Sequence, residues 1–414
     1  MKRALLSVLL LAVACSSGST PQPGPQDAGS TEDSGTDSGS DDAGGTEDSG
    51  TDGGSDDAGS TEDAGTADAG DDAGTTGDAG TDAGSGNDAG TDAGTADAGT
   101  CAAPAEQPGT DLATRLNTPR RLAVDATDVY ISESHSLNPQ QPTPGEGQVL
   151  KLSRSGGTAT PFATGFRAPD AIAVDATSVY VLDLDGLWRV DKATGKRGDL
   201  PIDTTLNNVT VGGTEVLPAT LSGRDVLVVA TGTRWLIRVD TDGSNRQALY
   251  TSPSGGQVRS ARVVGPDVWF LVAGGTLPGI YRVPLDGNTA SARYFATATQ
   301  VTSLEVTPTH FLLTEGGGGT GRVLKQPRDG GTAEVLATGL QGPLFPVELG
   351  GTVYFKDSRA GSTDFLRSVR TCAPGTSDPV GPSGTGPGGL IVDGNTLLYT
   401  SQESGTGGAV GRVP

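Results

Sequence analysis

Leu122-Ala123-Val124-Asp125-Ala126-Thr127-Asp128-Val129-Tyr130 and Ile172-Ala173-Val174-Asp175-Ala176-Thr177-Ser178-Val179-Tyr180 are nearly the same stretch, 50 positions apart. Each reads as two short apolar runs around an Asp-Ala-Thr turn, the grammar of paired strands. Weaker copies end at Leu227, Trp269, Leu312, Tyr354 and Leu398, so successive anchors are 50, 47, 42, 43, 42 and 44 residues apart. After every anchor comes another short run with a base at its centre: Lys151, Arg189, Arg238, Arg282, Lys325, Arg367 and Arg412. Three places after the anchor an acid stands in four units, as Glu133, Asp183, Glu315 and Asp357. Two columns of opposite sign suggest a recurrent ion pair or hydrogen bond that fixes the packing of the units.

A repeat of this length, made of short strands and turns, is the mark of a β-propeller. The expected fold is all-β, with seven blades of four strands. In each unit the first strand, such as Ile172 to Val174, lines a central tunnel, the second carries the anchor and the third carries the base. The chain stops at Pro414, directly after the third strand of unit seven. The missing fourth strand is expected from Asp111-Leu112-Ala113-Thr114-Arg115-Leu116, which resembles the fourth strands and precedes unit one. Pairing it with the last unit closes the ring and removes an open sheet edge.

The pattern resembles the YWTD and NHL families of propeller repeats. Trp235-Leu236-Ile237-Arg238-Val239-Asp240-Thr241-Asp242-Gly243 is similar to the YWTD third strand and turn. Tyr180-Val181-Leu182-Asp183 and Tyr354-Phe355-Lys356-Asp357 stand where those four letters belong. The resemblance runs from Cys101 onward as a repeat grammar. It implies the propeller fold and carries over no ligand-binding residue.

The first hundred residues are of another kind. Lys2 and Arg3 precede an apolar run from Ala4 to Ala14, the form of a signal peptide over 1–14. The run is too short to span a bilayer. Ala12-Val13-Ala14-Cys15 resembles the bacterial lipobox, whose cysteine becomes the lipidated N-terminus. The same residues also fit an ordinary A-x-A cleavage site. Lipidation of Cys15 is the preferred expectation, with the protein on the cell envelope at the outer membrane. Residues 16–100 repeat Asp-Ala-Gly, Ser-Gly and Thr-Asp with no Lys, Arg or aromatic residue. Such a segment buries too little apolar surface to offset its ordering entropy and is expected to be a disordered tether. It holds 21 of the 50 acids, which leaves 29 acids against 26 bases after residue 100. The net charge of −22 therefore belongs to the tether. The folded part is close to neutral, and nucleic acid is not an expected partner. No cofactor is expected: calcium is the one ion the aspartates suggest, and the calcium β-roll pattern is missing.

The chain has three cysteines. With Cys15 lipidated, Cys101 and Cys372 remain as a pair in an exported protein, and a disulfide between them is expected. Cys372 follows the third strand of unit six, which neighbours the unit that the closing strand completes.

Catalytic material is sparse. His135 and His310 are the only histidines. Neither has a partner histidine at ligand spacing, so a histidine metal site or a Ser-His-Asp triad is not indicated. Gluconolactonase-like propellers hold a divalent metal at the tunnel mouth, and Asn117, Asp170, Asn207 and Asn208 are the residues here that reach for one. A recognition face is the better supported expectation. Arg120, Arg121, Arg167 and Arg259 stand where the chain enters first strands, and Arg234 follows a second strand on the same face. A ring of arginines on a near-neutral domain suggests an anionic ligand, such as a carboxylate peptide or an acidic sugar. The expected function is a monomeric, non-catalytic module that binds protein, peptide or glycan, anchored to a membrane through Cys15. A metal-dependent hydrolase or lyase and a plain scaffold are the alternatives. Arg197-Gly198-Asp199 reads as a turn.

Halving the 16–100 segment should leave the melting temperature of the folded part unchanged. A cooperative loss of stability in the trimmed protein refutes a spacer role.

Overall fold

The computed structural model describes residues 101, 109–135, 146–206, 214–253, 255–296, 300–358, 365–380, 388–402 and 407–414. Every described residue belongs to one compact unit within 90–414. The expected signal peptide, Cys15 and the acidic tether lie outside the described residues.

Strand β1 is Thr110–Leu116. The first sheet then runs β2 (Pro119–Val124), β3 (Asp128–Glu133), β4 (Gly147–Ser153) and β5 (Thr160–Phe166). The second holds β6 (Ala171–Val174), β7 (Ser178–Asp183) and β8 (Gly186–Asp191). The third is β9 (Thr214–Leu221), β10 (Arg224–Thr231), β11 (Trp235–Asp240) and β12 (Gln247–Thr251). The fourth is β13 (Gln257–Val264), β14 (Asp267–Ala273), β15 (Gly279–Pro284) and β16 (Ala292–Ala296). The fifth comprises β17 (Val301–Val306), β18 (His310–Glu315), β19 (Gly321–Pro327) and β20 (Glu334–Leu340), and the sixth β21 (Pro343–Leu349), β22 (Thr352–Asp357), β23 (Phe365–Arg370) and β24 (Ala373–Pro379). One parallel bridge, Ala337 to Gly375, joins these two into an eight-stranded sheet. The last group is β25 (Leu390–Asp393), β26 (Thr396–Ser401) and β27 (Gly408–Val413), with β1 paired antiparallel to β27 from Thr110–Arg412 to Leu116–Gly408.

The second group departs from the expected four strands. Only two isolated bridges, Val190 to Arg197 and Leu187 to Asp203, occupy its outer position. Pro201 lies between their two outer residues and has no N–H for a ladder, so the segment touches β8 without forming a strand. Arg197 stacks on Trp188 at 4.0 Å, which keeps Arg197-Gly198-Asp199 a local structural turn.

The sheets are apolar on both faces, and the core is divided among them. Seven buried clusters occur among the described residues, each drawn from two successive groups of strands. Ala123, Tyr130 and Phe166 pack on Ile172, Val181 and Trp188, for example. Val228 and Leu236 pack on Phe270 and Tyr281. Leu112, Leu398 and Val410 from the last group pack on Leu122, Ile131 and Leu150 of the first. The innermost strands touch in the order β2, β6, β9, β13, β17, β21, β25 and back to β2.

Polar groups link each of these neighbours. Ser132 Oγ donates to the Asp170 carbonyl at 3.0 Å, and Thr214 donates its hydroxyl to the Asp170 carboxylate. The Ala261 N–H donates to Glu215, and Arg262 donates to Glu305 at 2.8 Å. Thr302 Oγ1 donates to the Pro343 carbonyl at 2.9 Å, and Lys356 to the Thr400 carbonyl. Thr400 Oγ1 and the Gly389 N–H both donate to the Arg120 carbonyl, joining last group to first.

The acid column does not pair with the base column. Glu133, Asp183 and Asp357 are buried and accept the N–H groups of Asn117, Arg167 and Gln341 respectively. Each donor lies 16 residues before its acid, where the chain crosses from an outer strand to the next inner strand. The carboxylate therefore clamps the crossover. Glu133 holds the crossover from β1 to β2 as the others hold theirs. Glu315 takes Arg322 instead.

The bases oppose their anchors in five units, as Tyr130–Lys151, Tyr180–Arg189, Trp269–Arg282, Leu312–Lys325 and Leu398–Arg412. Arg238 instead opposes Val228, and Arg367 opposes Phe355. Side chains alternate along a strand, so one step changes the face. Val228, packed against the next sheet, is the structural anchor of the third group in place of Leu227. The ion pairs the bases do make fall two residues before the anchor, Lys151–Asp128 at 3.0 Å and Arg282–Asp267 at 2.6 Å.

Cys101 and Cys372 form a disulfide with Cα atoms 6.0 Å apart. Arg370 Nη1 donates to the Cys101 carbonyl at 2.8 Å beside it. The bond fixes the chain just before β1 to the turn between β23 and β24.

Asp357→Ala removes the acceptor of two N–H groups, Gln341 at 2.8 Å and Gly342 at 2.9 Å. It should cost about 2–4 kcal/mol in denaturant unfolding, and Asp357→Asn, which keeps an acceptor oxygen, clearly less. A reductant should lower the unfolding midpoint of the wild type and leave that of Cys372→Ser where it is.

Candidate functional site: the central cavity

The inner strands enclose a cavity of about 510 Å³ to which β2, β6, β9, β13, β17, β21 and β25 all contribute. Its wall is not uniform. Leu122, Val124, Ile172, Val174, Leu390 and Val392 make one side apolar. Glu215, Arg262, Glu305 and Glu348, on four consecutive inner strands, make the other side charged.

Arg262 organises the charged side. Its Nη1 lies 3.0 Å from Glu215 and its Nη2 2.6 Å from Glu305. Burial alone would lower the guanidinium pKa, and the two carboxylates more than reverse this, so the pKa is raised. Glu348 Oε2 lies 3.0 Å from His310 Nε2. Burial brings the His310 pKa below its usual value of 6.5, against the opposing pull of Glu348.

The arginines read from the sequence occupy several places. Arg120, Arg121 and Arg259 lie within first strands β2 and β13 and not in the loops before them. Among the five, only Arg121 lines the central cavity. It reaches past β25 to stack on Phe345 of β21, 4.2 Å from the ring centroid. Phe345 has a φ of 53°, a left-handed conformation costly for a bulky residue, at a bulge in β21. Arg120 is buried, with Nε donating to Ser134 at 3.1 Å and Asp170 as its charge partner. Arg167 pairs with Asp185 at 3.2 Å. Arg234 lies 5.7 Å from the centroid of Trp235. Arg259 donates to Gln257 and lines a separate shallow pocket with Gln300 and Thr302.

The residues considered for a metal are otherwise engaged. Asp170 is buried and accepts Thr214, and Asn117 accepts Thr118. Asn207 and Asn208 lie outside the described residues. No three His, Cys, Asp or Glu side chains among the described residues gather as a metal would need. His135 sits 2.8 Å from Glu133, a crossover clamp, and 3.1 Å from Gln148.

The charged wall was missed in the sequence, although a signal was present. Seven residues before the anchor the units carry Ala123, Ala173, Val347 and Ile391, but Arg262 and Glu305 in two neighbouring units. With Thr220 in the third unit the column is otherwise uncharged, and a charge in it marks a place where the wall departs from the repeat.

No protein-family model matches this chain, and no curated protein is similar to it. Solved structures are. The extracellular domain of a one-component system from B. thetaiotaomicron is similar over 74% of this chain and 40% of its own length, with a TM-score of 0.51 and 10% identity. The fold is propeller-like. A chain of a nidogen/laminin complex matches over 58% of this chain and 92% of its own, with a TM-score of 0.41 and 15% identity.

Between 6.5 and the lower folded pKa of His310, the unfolded chain binds the extra proton. Stability should therefore fall as pH drops through 6.5 and level off below the folded value. Melting curves from about pH 7.5 to pH 5 should show a shallower decline for His310→Gln. Equal slopes for both proteins refute a buried, neutral His310.

Proposed function

We propose that this chain is a non-catalytic recognition module, carried outside the cytoplasm and held to the envelope through lipid on Cys15. In this reading the strand groups are seven blades of one ring, closed by β1 on β27 and latched by the disulfide. The tether over 16–100 separates the ring from an outer-membrane surface, and the module acts as a monomer. The disulfide supports an oxidising compartment. The observation that carries recognition is the central cavity, where all the innermost strands converge and the repeat gives way to individual residues. Ligand sites are concave, largely apolar and fixed by a few placed polar groups, and this cavity has that composition. Protein, peptide and glycan remain the ligand classes, entering by a peptide side chain or a sugar at the tunnel.

Peptide and glycan arrays probed with the full chain test the reading. A bound member should be lost when Val392→Trp fills the cavity, with the melting temperature held within a few degrees. Turnover of an array member on addition of a divalent metal supports the hydrolase alternative. Binding that ignores the cavity variant overturns the proposed site.

A further inference from the structure

We infer that the central cavity takes an amphipathic cation, a protonated amine on an apolar body. The inference rests on the recognition reading and names its ligand chemistry. Its basis is the division of the wall. The apolar side comes from β25, β2 and β6, where Leu390, Val392, Leu122, Val124, Ile172 and Val174 face the cavity. Val392 is 37% exposed there, an apolar surface that a ligand body would cover.

The charged side carries more acid than base. Glu215, Glu305 and Glu348 stand with Arg262, and His310 behind Glu348 is kept neutral by its burial. Arg262 cannot serve an anion, because its guanidinium is already divided between Glu215 and Glu305. Arg121 also lines the cavity, stacked on Phe345, so the wall carries three acids against two bases. Glu305 uses one oxygen, Oε2, for Arg262, and Glu348 has one oxygen, Oε2, 3.0 Å from His310 Nε2. Among the described residues, neither second oxygen has a partner. The two side chains are 20% and 24% exposed, so both remain accessible.

An ammonium group has three donors and no acceptor, the complement of a wall that offers carboxylate oxygens. A carboxylate or phosphate in the same place would face these oxygens with like charge. A neutral alkyl group would cover the apolar wall and leave the carboxylates to water. The cavity volume suits a ligand of modest size, well below a folded peptide.

Calorimetric titration of the full chain with n-octylammonium, n-octanoate and 1-octanol, each below its aggregation limit, tests the assignment. Octylammonium should bind with one-to-one stoichiometry, at least about tenfold tighter than octanol, the ratio expected of one charge-assisted contact. Octanoate should not bind. Glu305→Gln with Glu348→Gln should bring octylammonium to within about twofold of octanol, with octanol itself bound as by the wild type. Val174→Trp should abolish binding of both. Octanoate or octanol binding as tightly as the amine overturns the inference and leaves a recognising cavity in place. Amine binding that survives Val174→Trp, or no binding of any probe, overturns it as well. An array ligand displaced by cavity filling in that last case shows that the recognition reading stands while the cation assignment falls.

Discussion

The constraint on which the rest depends is that each sheet is apolar on both faces. A sheet with one apolar face is satisfied by one neighbour, but these need two. Val129 and Ile131 of β3 pack toward the last group, whereas Tyr130 between them packs toward the second. Val179 and Val181 of β7 face back, and Tyr180 and Leu182 face forward. A row of such sheets would leave apolar surface bare at each end. Burying that surface yields about 25 cal/mol per Å², so bare ends would be a large loss. The cluster between last and first groups removes the ends.

Polar interactions then set the register of what apolar packing only brings together. Hydrophobic burial is non-directional and does not specify how far one sheet slides along the next. Hydrogen bonds from second strands to the neighbouring group, such as Ser132 to Asp170 and Thr400 to Arg120, do specify it. So do the buried acids at the crossovers. Burial pushes the Asp183 carboxyl upward, while the Arg167 N–H and the Trp188 indole draw it back. A buried carboxylate is tolerable only with such donors, and here they come from the chain segment that must be held.

The centre is where this logic yields to a different one. Repetition serves packing, and inner strands that were all alike would give a symmetric, apolar tunnel. Arg262, Glu305 and Glu348 break that symmetry on one side, and the pairing of Arg262 with Glu215 and Glu305 more than reverses the effect of burial on its charge. The strained Phe345 beneath Arg121 lies at the same inner layer. Strain and half-buried charge concentrated in one layer of an otherwise regular fold are what support the proposed site there.

The sequence by itself determined the strand grammar, the positions of most anchors and bases, the outer strand that β1 supplies, and the pairing of Cys101 with Cys372. These are local or periodic properties: alternation, turn residues and a repeat near one length are written in adjacent letters. Only the tertiary structure decided which acids meet which donors. The step from Glu133 to Asn117 spans 16 residues and a crossover, and no periodicity reports it. It decided that Val228 and not Leu227 faces the next sheet, because a single-residue shift exchanges faces while leaving the apolar composition unchanged. It decided that five arginines near first strands do not share one site, since strand twist and individual partners carry their side chains apart. And it brought Glu215, Arg262, Glu305 and Glu348 from a span of over 130 residues to one wall of the cavity. A repeat places equivalent positions around an axis, but charge appears there in only some units, and its meaning emerges only when those strands lie side by side.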